Sequence, residues 1–272
     1  LRKEWEANMP EGIAEGIGAS VHRKEDKKFT TGKGRYTDDI NRPGQLHAFF
    51  IRANVAHAKI KNVDITKALK SDGVAAIYTG ADIAADGVGG PICGWTPTNR
   101  DGSAPKEPPH PLLANGKVRY VGDHIAVVIA ESMEQAKSAA EQVKIDLETL
   151  APVVDLSAAI GNTQIHDEMD DNVYFDWELG DEKATADALG SAAKVIELTV
   201  TNNRVIPNAM EPRAAVAEYD ETNESYTLYT SSQNPHLTRL VMAAFMMQIP
   251  ESKLHVVAPD VGGGFGSKIY IY

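Results

Sequence analysis

APDVGGGFGSKIYIY, residues 258–272, sets three glycines in a row, a phenylalanine and a fourth glycine directly behind a strand-like run, KLHVVAPDV (253–261). Glycine loses more conformational freedom on ordering than any other residue. Gly262, Gly263, Gly264 and Gly266 are therefore costly unless the main chain takes positive φ or comes very close to something. Consecutive small residues can also turn several backbone N–H groups toward one oxygen-rich or anionic group. Phe265, between glycines, would be wasted on solvent and is expected to pack on a ligand or on the core. Two common nucleotide loops are excluded. A P-loop needs glycine immediately before the lysine, and Ser267 precedes Lys268; the G-x-G-x-x-G fingerprint read from Gly262 also needs glycine where Ser267 stands.

Outward from this loop, LTRLVMAAFMMQI (237–249) carries apolar residues at helical spacing, with Met242, Met246 and Met247 read as core or subunit-interface filler. AAVAEYDETNESYTLYTSSQNPH (214–236) reads as a hairpin turning at 221–225, and AAKVIELTVTNN (192–203) as a long strand. Pro212 fixes a turn in MEPR, where Glu211 and Arg213 are expected to form a buried structural ion pair. A boundary is expected near 152–155. Before it, ESMEQAKSAAEQVKIDLETLAP (131–152) predicts a helix starting at Ser132, because Ser132 and Gln135 have capping-box spacing, and then a half-buried strand. Residues 87–113 are so rich in Gly and Pro that they predict a long loop, functional or packed on a partner. KNVDITKALKSDGVAAIYTGADI (61–83) reads as strand, short helix over 64–69, stop at Gly73 and strand over 74–78, while QLHAFFIRA (45–53) reads as a buried strand. Residues 1–19 read as an irregular arm. The pattern is α+β.

Composition removes several function classes. A formal charge of −11 over 272 residues argues against a phosphate-backbone binder, which favours a basic stripe. No apolar run approaches the ~18 residues that suggest a membrane span, and the start, LRKEWEANMPEGI, lacks an apolar leader core, which sets cytoplasmic residence as the expectation. Cys93 is the single cysteine, so this chain alone supplies neither a disulfide nor an all-cysteine iron–sulfur or zinc site; it is expected to be a packed thiol. The eight histidines are scattered without metal-ligand spacing.

GGGFGSK (262–268), SSQNPH (231–236), AMEPRAAVAEYD (209–220) and GKGRYTDDI (32–40), in that order and spacing, resemble the large, molybdenum-binding subunit of the xanthine dehydrogenase/aldehyde oxidase family, nearest to bacterial carbon-monoxide-dehydrogenase-type large chains. The resemblance implies an a/b hammerhead domain over about 20–155 and the first part of a molybdopterin-binding domain over 156–272. It implies that Gly262, Gly263, Gly264, Phe265 and Gly266 cradle a molybdenum pyranopterin, molybdopterin cytosine dinucleotide in bacterial members. In the family the positions of Phe265 and Gly266 lie near the metal's oxo group and that of Gln233 donates to it. An amide NH2 donates without titrating, which suits that role. The cofactor brings its own ligands to molybdenum, so the protein supplies none. Electrons are expected to leave through an iron–sulfur small subunit and an FAD medium subunit.

Where purine-oxidising relatives carry a substrate-binding glutamate after the loop lysine, this chain has Ile269, which disfavours xanthine. The expected activity is oxidation of carbon monoxide, an aldehyde or a related small molecule. The alternatives are an N-heteroaromatic hydroxylase of nicotinate type from a split large subunit, or a non-catalytic assembly subunit. The catalytic base and most pterin contacts are expected in the remainder of the large subunit, and the chain alone is expected to be inert.

Overall fold

A computed structural model describes residues 21–169 and 171–271; the arm read over 1–19 lies outside the described residues. The strands β1 (His47–Arg52), β3 (Val74–Thr79) and β5 (His124–Ala130) form an antiparallel sheet with β5 in the middle. A second antiparallel sheet has β2 (Ala58–Asp64) between β4 (Lys117–Val118) and β6 (Lys144–Thr149). The helices are α1 (Asp26–Thr30), α2 (Gly80–Ala85), α3 (Met133–Ala140), α4 (Glu182–Ser191) and α5 (Pro235–Leu240).

Helix α3 starts where the spacing predicts, with the Ser132 side chain accepting from the Gln135 N–H. Ala136 and Ala139 are fully buried on its inner face and pack with Ile77, Val128 and Ala130, so two small side chains let the helix lie close on the first sheet. Ala53, Val118 and Ile125 anchor the core beneath the second sheet. Differences from the sequence reading are local. β1 alternates half-buried and exposed residues because only one of its faces meets α3, so it is not buried throughout. The helix expected over 64–69 shrinks to a single 3₁₀ turn at Ala68–Lys70, and α2 forms behind a capping box of Thr79 and Asp82 that the reading passed over. The Gly/Pro-rich stretch 88–113 contains no helix or strand.

The third sheet builds the candidate site. β7 (Ala215–Asp220) and β8 (Ser225–Thr230) form the expected hairpin, and β9 (Leu254–Val257) joins β8 in parallel. A parallel neighbour needs a crossover, supplied by α5 and a π-helical stretch over Val241–Met247. Met246 is buried, and Met242 and Met247 pack on the cluster of Leu228, Ala243 and Leu254, so the methionines are core residues. AAKVIELTVTNN (192–203), expected as a strand, forms no strand and pairs with no described strand. Among the described residues no helix is long and apolar enough to cross a membrane.

Candidate functional site

Where β8 and β9 end side by side, the chain runs into two loops, SSQN (231–234) and VGGGFGSK (261–268), and the parallel pairing brings them together. Main-chain bonding continues the register, since the Gln233 N–H donates to the Lys268 carbonyl at 2.9 Å. The Gln233 Oε1 accepts in turn from the Gly266 N–H at 2.9 Å and the Lys268 N–H at 3.2 Å. Two donors on one face fix the orientation of the amide, because Nε2 there would oppose two N–H groups. Nε2 therefore points away, with no protein acceptor among the described residues.

The loop glycines are required by close contact at Gly262 and Gly264 and by positive φ at Gly263 and Gly266. A Cβ on Gly264 would lie 2.4 Å from the Gln233 side chain, so only glycine admits that amide. Gly263 has φ of +104°, and the Phe265 ring lies across the space its Cβ would fill. Phe265 itself takes φ of +52°, in the left-handed region that an aromatic residue seldom occupies. Its ring is 73% exposed, so it does not pack into the core as one of its two expected settings required. Strain and exposure at one residue mark a position held for something other than folding.

A buried ion pair holds the loop at both ends. Lys268 is 3% exposed, and its Nζ donates to Glu211 Oε2 at 3.0 Å, to the Glu211 carbonyl at 2.8 Å and to Ser231 Oγ at 2.7 Å. Glu211 Oε2 also accepts from Ser231 Oγ at 2.6 Å and from the Gly262 N–H at 2.7 Å. One carboxylate oxygen thus gathers the first glycine, the loop lysine and the first residue of SSQN. Burial pushes the Glu211 carboxyl up, but the bonds from Ser231, Gly262 and Lys268 outweigh it and leave the group below its ordinary value. The sequence reading paired Glu211 with Arg213; the cation that meets it is Lys268, while Arg213 donates to the Ser267 carbonyl. A lysine closing a glycine run, with no solvent role evident, was the signal available in the sequence.

The fourth motif arrives from the opposite end of the chain. Asp260, just before the glycines, exchanges bonds with Arg35: its N–H donates to the Arg35 carbonyl at 3.0 Å and its carboxylate accepts the Arg35 N–H at 2.7 Å. Lys28 pairs with the same carboxylate. Arg42 bonds Glu218 on β7 and sits 5.1 Å from the Tyr229 ring on β8. GKGRYTDDI, AMEPR, SSQNPH and GGGFGSK therefore meet at one end of the third sheet.

Cys93 lies elsewhere, half-buried, its thiol donating to the Trp95 carbonyl at 2.9 Å. It lines a cavity of about 520 Å³ with Glu107, His166, Tyr174 and Tyr270. Burial and the nearby Cys93 and Glu107 push the Tyr174 phenol up to about 12. None of Gln233, Phe265 or the loop glycines lines that cavity.

Among the described residues, no three His, Cys, Asp or Glu side chains converge as metal ligands. The site offers instead an outward amide donor, close-approach main chain and an exposed ring. That donor set fits a bulky group that carries its own metal ligands.

Residues 31–151 match the family described as "Aldehyde oxidase and xanthine dehydrogenase, a/b hammerhead domain", and residues 165–272 match the "Molybdopterin cofactor-binding domain". The chain is 35% identical over 259 residues to the nicotine 6-hydroxylase large subunit of Paenarthrobacter nicotinovorans, covering 94% of this chain and 30% of that protein. It is 35% identical over 274 residues to the carbon monoxide dehydrogenase large chain of Afipia carboxidovorans, covering 95% of this chain and 32% of the other. Quinoline 2-oxidoreductase from Pseudomonas putida 86 superposes with a TM-score of 0.80 at 35% identity, over 94% of this chain and 32% of that one. The chain thus spans about a third of the length of the relatives it matches.

Proposed function

Because the chain belongs to the xanthine dehydrogenase/aldehyde oxidase family of molybdenum-binding large subunits, we propose that it forms one face of a molybdenum hydroxylase active site and there cradles a molybdenum pyranopterin. The observation that carries the proposal is the Gln233 amide: its oxygen is spent on the Gly266 and Lys268 N–H groups, which leaves its NH2 without a protein acceptor among the described residues, against the loop that carries the exposed Phe265.

The cofactor, molybdopterin cytosine dinucleotide in this reading, supplies two-electron oxidation of a carbon centre with oxygen from water. This chain's residues supply its setting. Gly262, Gly263 and Gly264 would give the main chain its close approach, Phe265 and Gly266 would line the bound cofactor, and Gln233 would offer it a neutral donor whose strength does not vary with pH near neutrality. The catalytic base comes from the rest of the large subunit. One cysteine in this chain cannot hold an iron–sulfur cluster, and in this reading electrons pass to an iron–sulfur subunit and on to an FAD subunit.

The substrate is a small molecule other than a purine, carbon monoxide or an aldehyde in the leading reading. Ile269, 43% exposed beside Lys268, presents an apolar side chain that cannot hydrogen-bond a purine. The relatives named for nicotine and quinoline favour a second reading, an N-heteroaromatic substrate.

Gln233→Glu tests the assignment in the assembled enzyme. The carboxylate still accepts from both N–H groups and keeps the loop anchored, but the outward donor is gone. We expect molybdenum content within a factor of two of wild type and turnover lower by on the order of a hundredfold, as for loss of one preorganised donor. Unchanged turnover removes Gln233 from the site. An assembled complex without molybdenum or pterin favours the non-catalytic assembly subunit.

A further inference from the structure

Residues 194–206, KVIELTVTNNRVI, carry the marks of a strand without a sheet. The chain forms neither helix nor strand there, and its main chain makes no backbone hydrogen bond with another described residue. In a strand, alternation would put Ile196, Leu198 and Val200 on one face and Glu197, Thr199 and Thr201 on the other. The apolar face is 80%, 80% and 75% exposed at its three positions, and Val205 and Ile206 follow at 85% and 81%. The preceding helix α4 buries none of its residues. Unpaired N–H and C=O groups along a β-branched run form a template for another strand.

We propose that residues 194–201 are the docking strand through which this chain is built into the rest of its large subunit, and that the occupant is a β-strand from the large-subunit sequence beyond this chain. Three observations choose that occupant. A strand with one apolar and one polar face fits a sheet with a single buried side, hence the edge of a domain core rather than a wet, transient contact. The segment lies inside 165–272, the range matching the molybdopterin cofactor-binding domain, so its sheet belongs to that domain and not to a linker. The matched relatives are about three times as long, which leaves ample large-subunit sequence to supply the strand. The inference does not depend on Gln233 facing molybdenum, and its test reads no catalysis.

Hydrogen exchange on the assembled complex, with amine cross-linking from Lys194, examines it directly. The expected result is that amides 195–201 exchange at least a hundredfold more slowly than unprotected amides and that Lys194 cross-links to the large subunit beyond this chain. Leu198→Asp should lower recovery of the complex at least tenfold, while Thr199→Asp, on the polar face, changes it less than twofold. The proposal is overturned by exchange of 195–201 at the rate of unprotected amides, by equal effects of the two substitutions, or by Lys194 cross-links confined to another partner: a second copy of this chain, Lys3 of its own arm, or the iron–sulfur or FAD subunit.

Discussion

Lys268 and Glu211 show how much one contact can organise. Removing one partner of a buried ion pair leaves the other charged and unsatisfied, at a cost of about 3–5 kcal/mol. Lys268→Met is therefore expected to lower the thermal midpoint of unfolding sharply and to raise the exchange rate of the Gly262 and Gly266 amides. Adding Glu211→Gln should recover part of the loss, because the stranded charge is gone and the two effects are not additive. The acid side follows from the sign of the Glu211 shift. A carboxyl held below its unfolded value contributes stability above that value, about pH 4.3, and loses it as pH falls through the lower folded value. Unfolding midpoints measured between pH 6 and pH 3 should fall more steeply in wild type than in Glu211→Gln; parallel curves would refute this role. The glycine loop was legible in the sequence because its demand is local: four glycines and a stranded aromatic residue have few uses. The partner of Glu211 was not, since Lys268 is distant in sequence whereas Arg213 stands two residues away, and only the parallel pairing of β8 and β9 decides between them.

At the level of elements, what was readable were boundaries set by side chains reaching their own backbone. Ser132 caps α3 as its spacing predicts. Ser132→Ala should cost about 1 kcal/mol, seen as a lower midpoint in thermal unfolding, while leaving the third sheet unaffected; a neutral result would mean that packing of Ala136 and Ala139 alone sets the helix start. The π-helical stretch was not readable, because VMAAFMM has the spacing of any apolar helix. Its cause is tertiary: the Gly89 N–H donates to the Met246 carbonyl at 2.8 Å, and Gln248, left-handed at φ of +54°, reaches the Gly87 carbonyl at 2.9 Å. A Cβ on Gly89 would collide with the Phe245 carbonyl, so the Gly/Pro-rich loop is fitted against the crossover behind the candidate site. The strand read over 192–203 failed for the opposite reason. Its alternation was real, but a strand is a property of two segments, and no described residue supplies the second.

For the whole molecule, four motifs separated by as much as 222 residues meet at one sheet end, an arrangement that no single motif implied. Family resemblance suggested a shared site; Asp260 with Arg35, and Glu211 with Gly262 and Lys268, are the contacts that join it. The purified chain alone should show no turnover with carbon monoxide, aldehydes, nicotine or quinoline, because the proposed function draws its catalytic base from the rest of the large subunit. Measurable turnover without added subunits would place the base among these residues after all.

The two neighbours at the end of the glycine loop divide their duties. Lys268 is sealed inside and its side chain tethers the loop; the Ile269 side chain is half exposed and bonds to nothing. The outward side chain is therefore free to be exchanged without disturbing the ion pair behind it, as a tool handle accepts different heads while its grip stays the same.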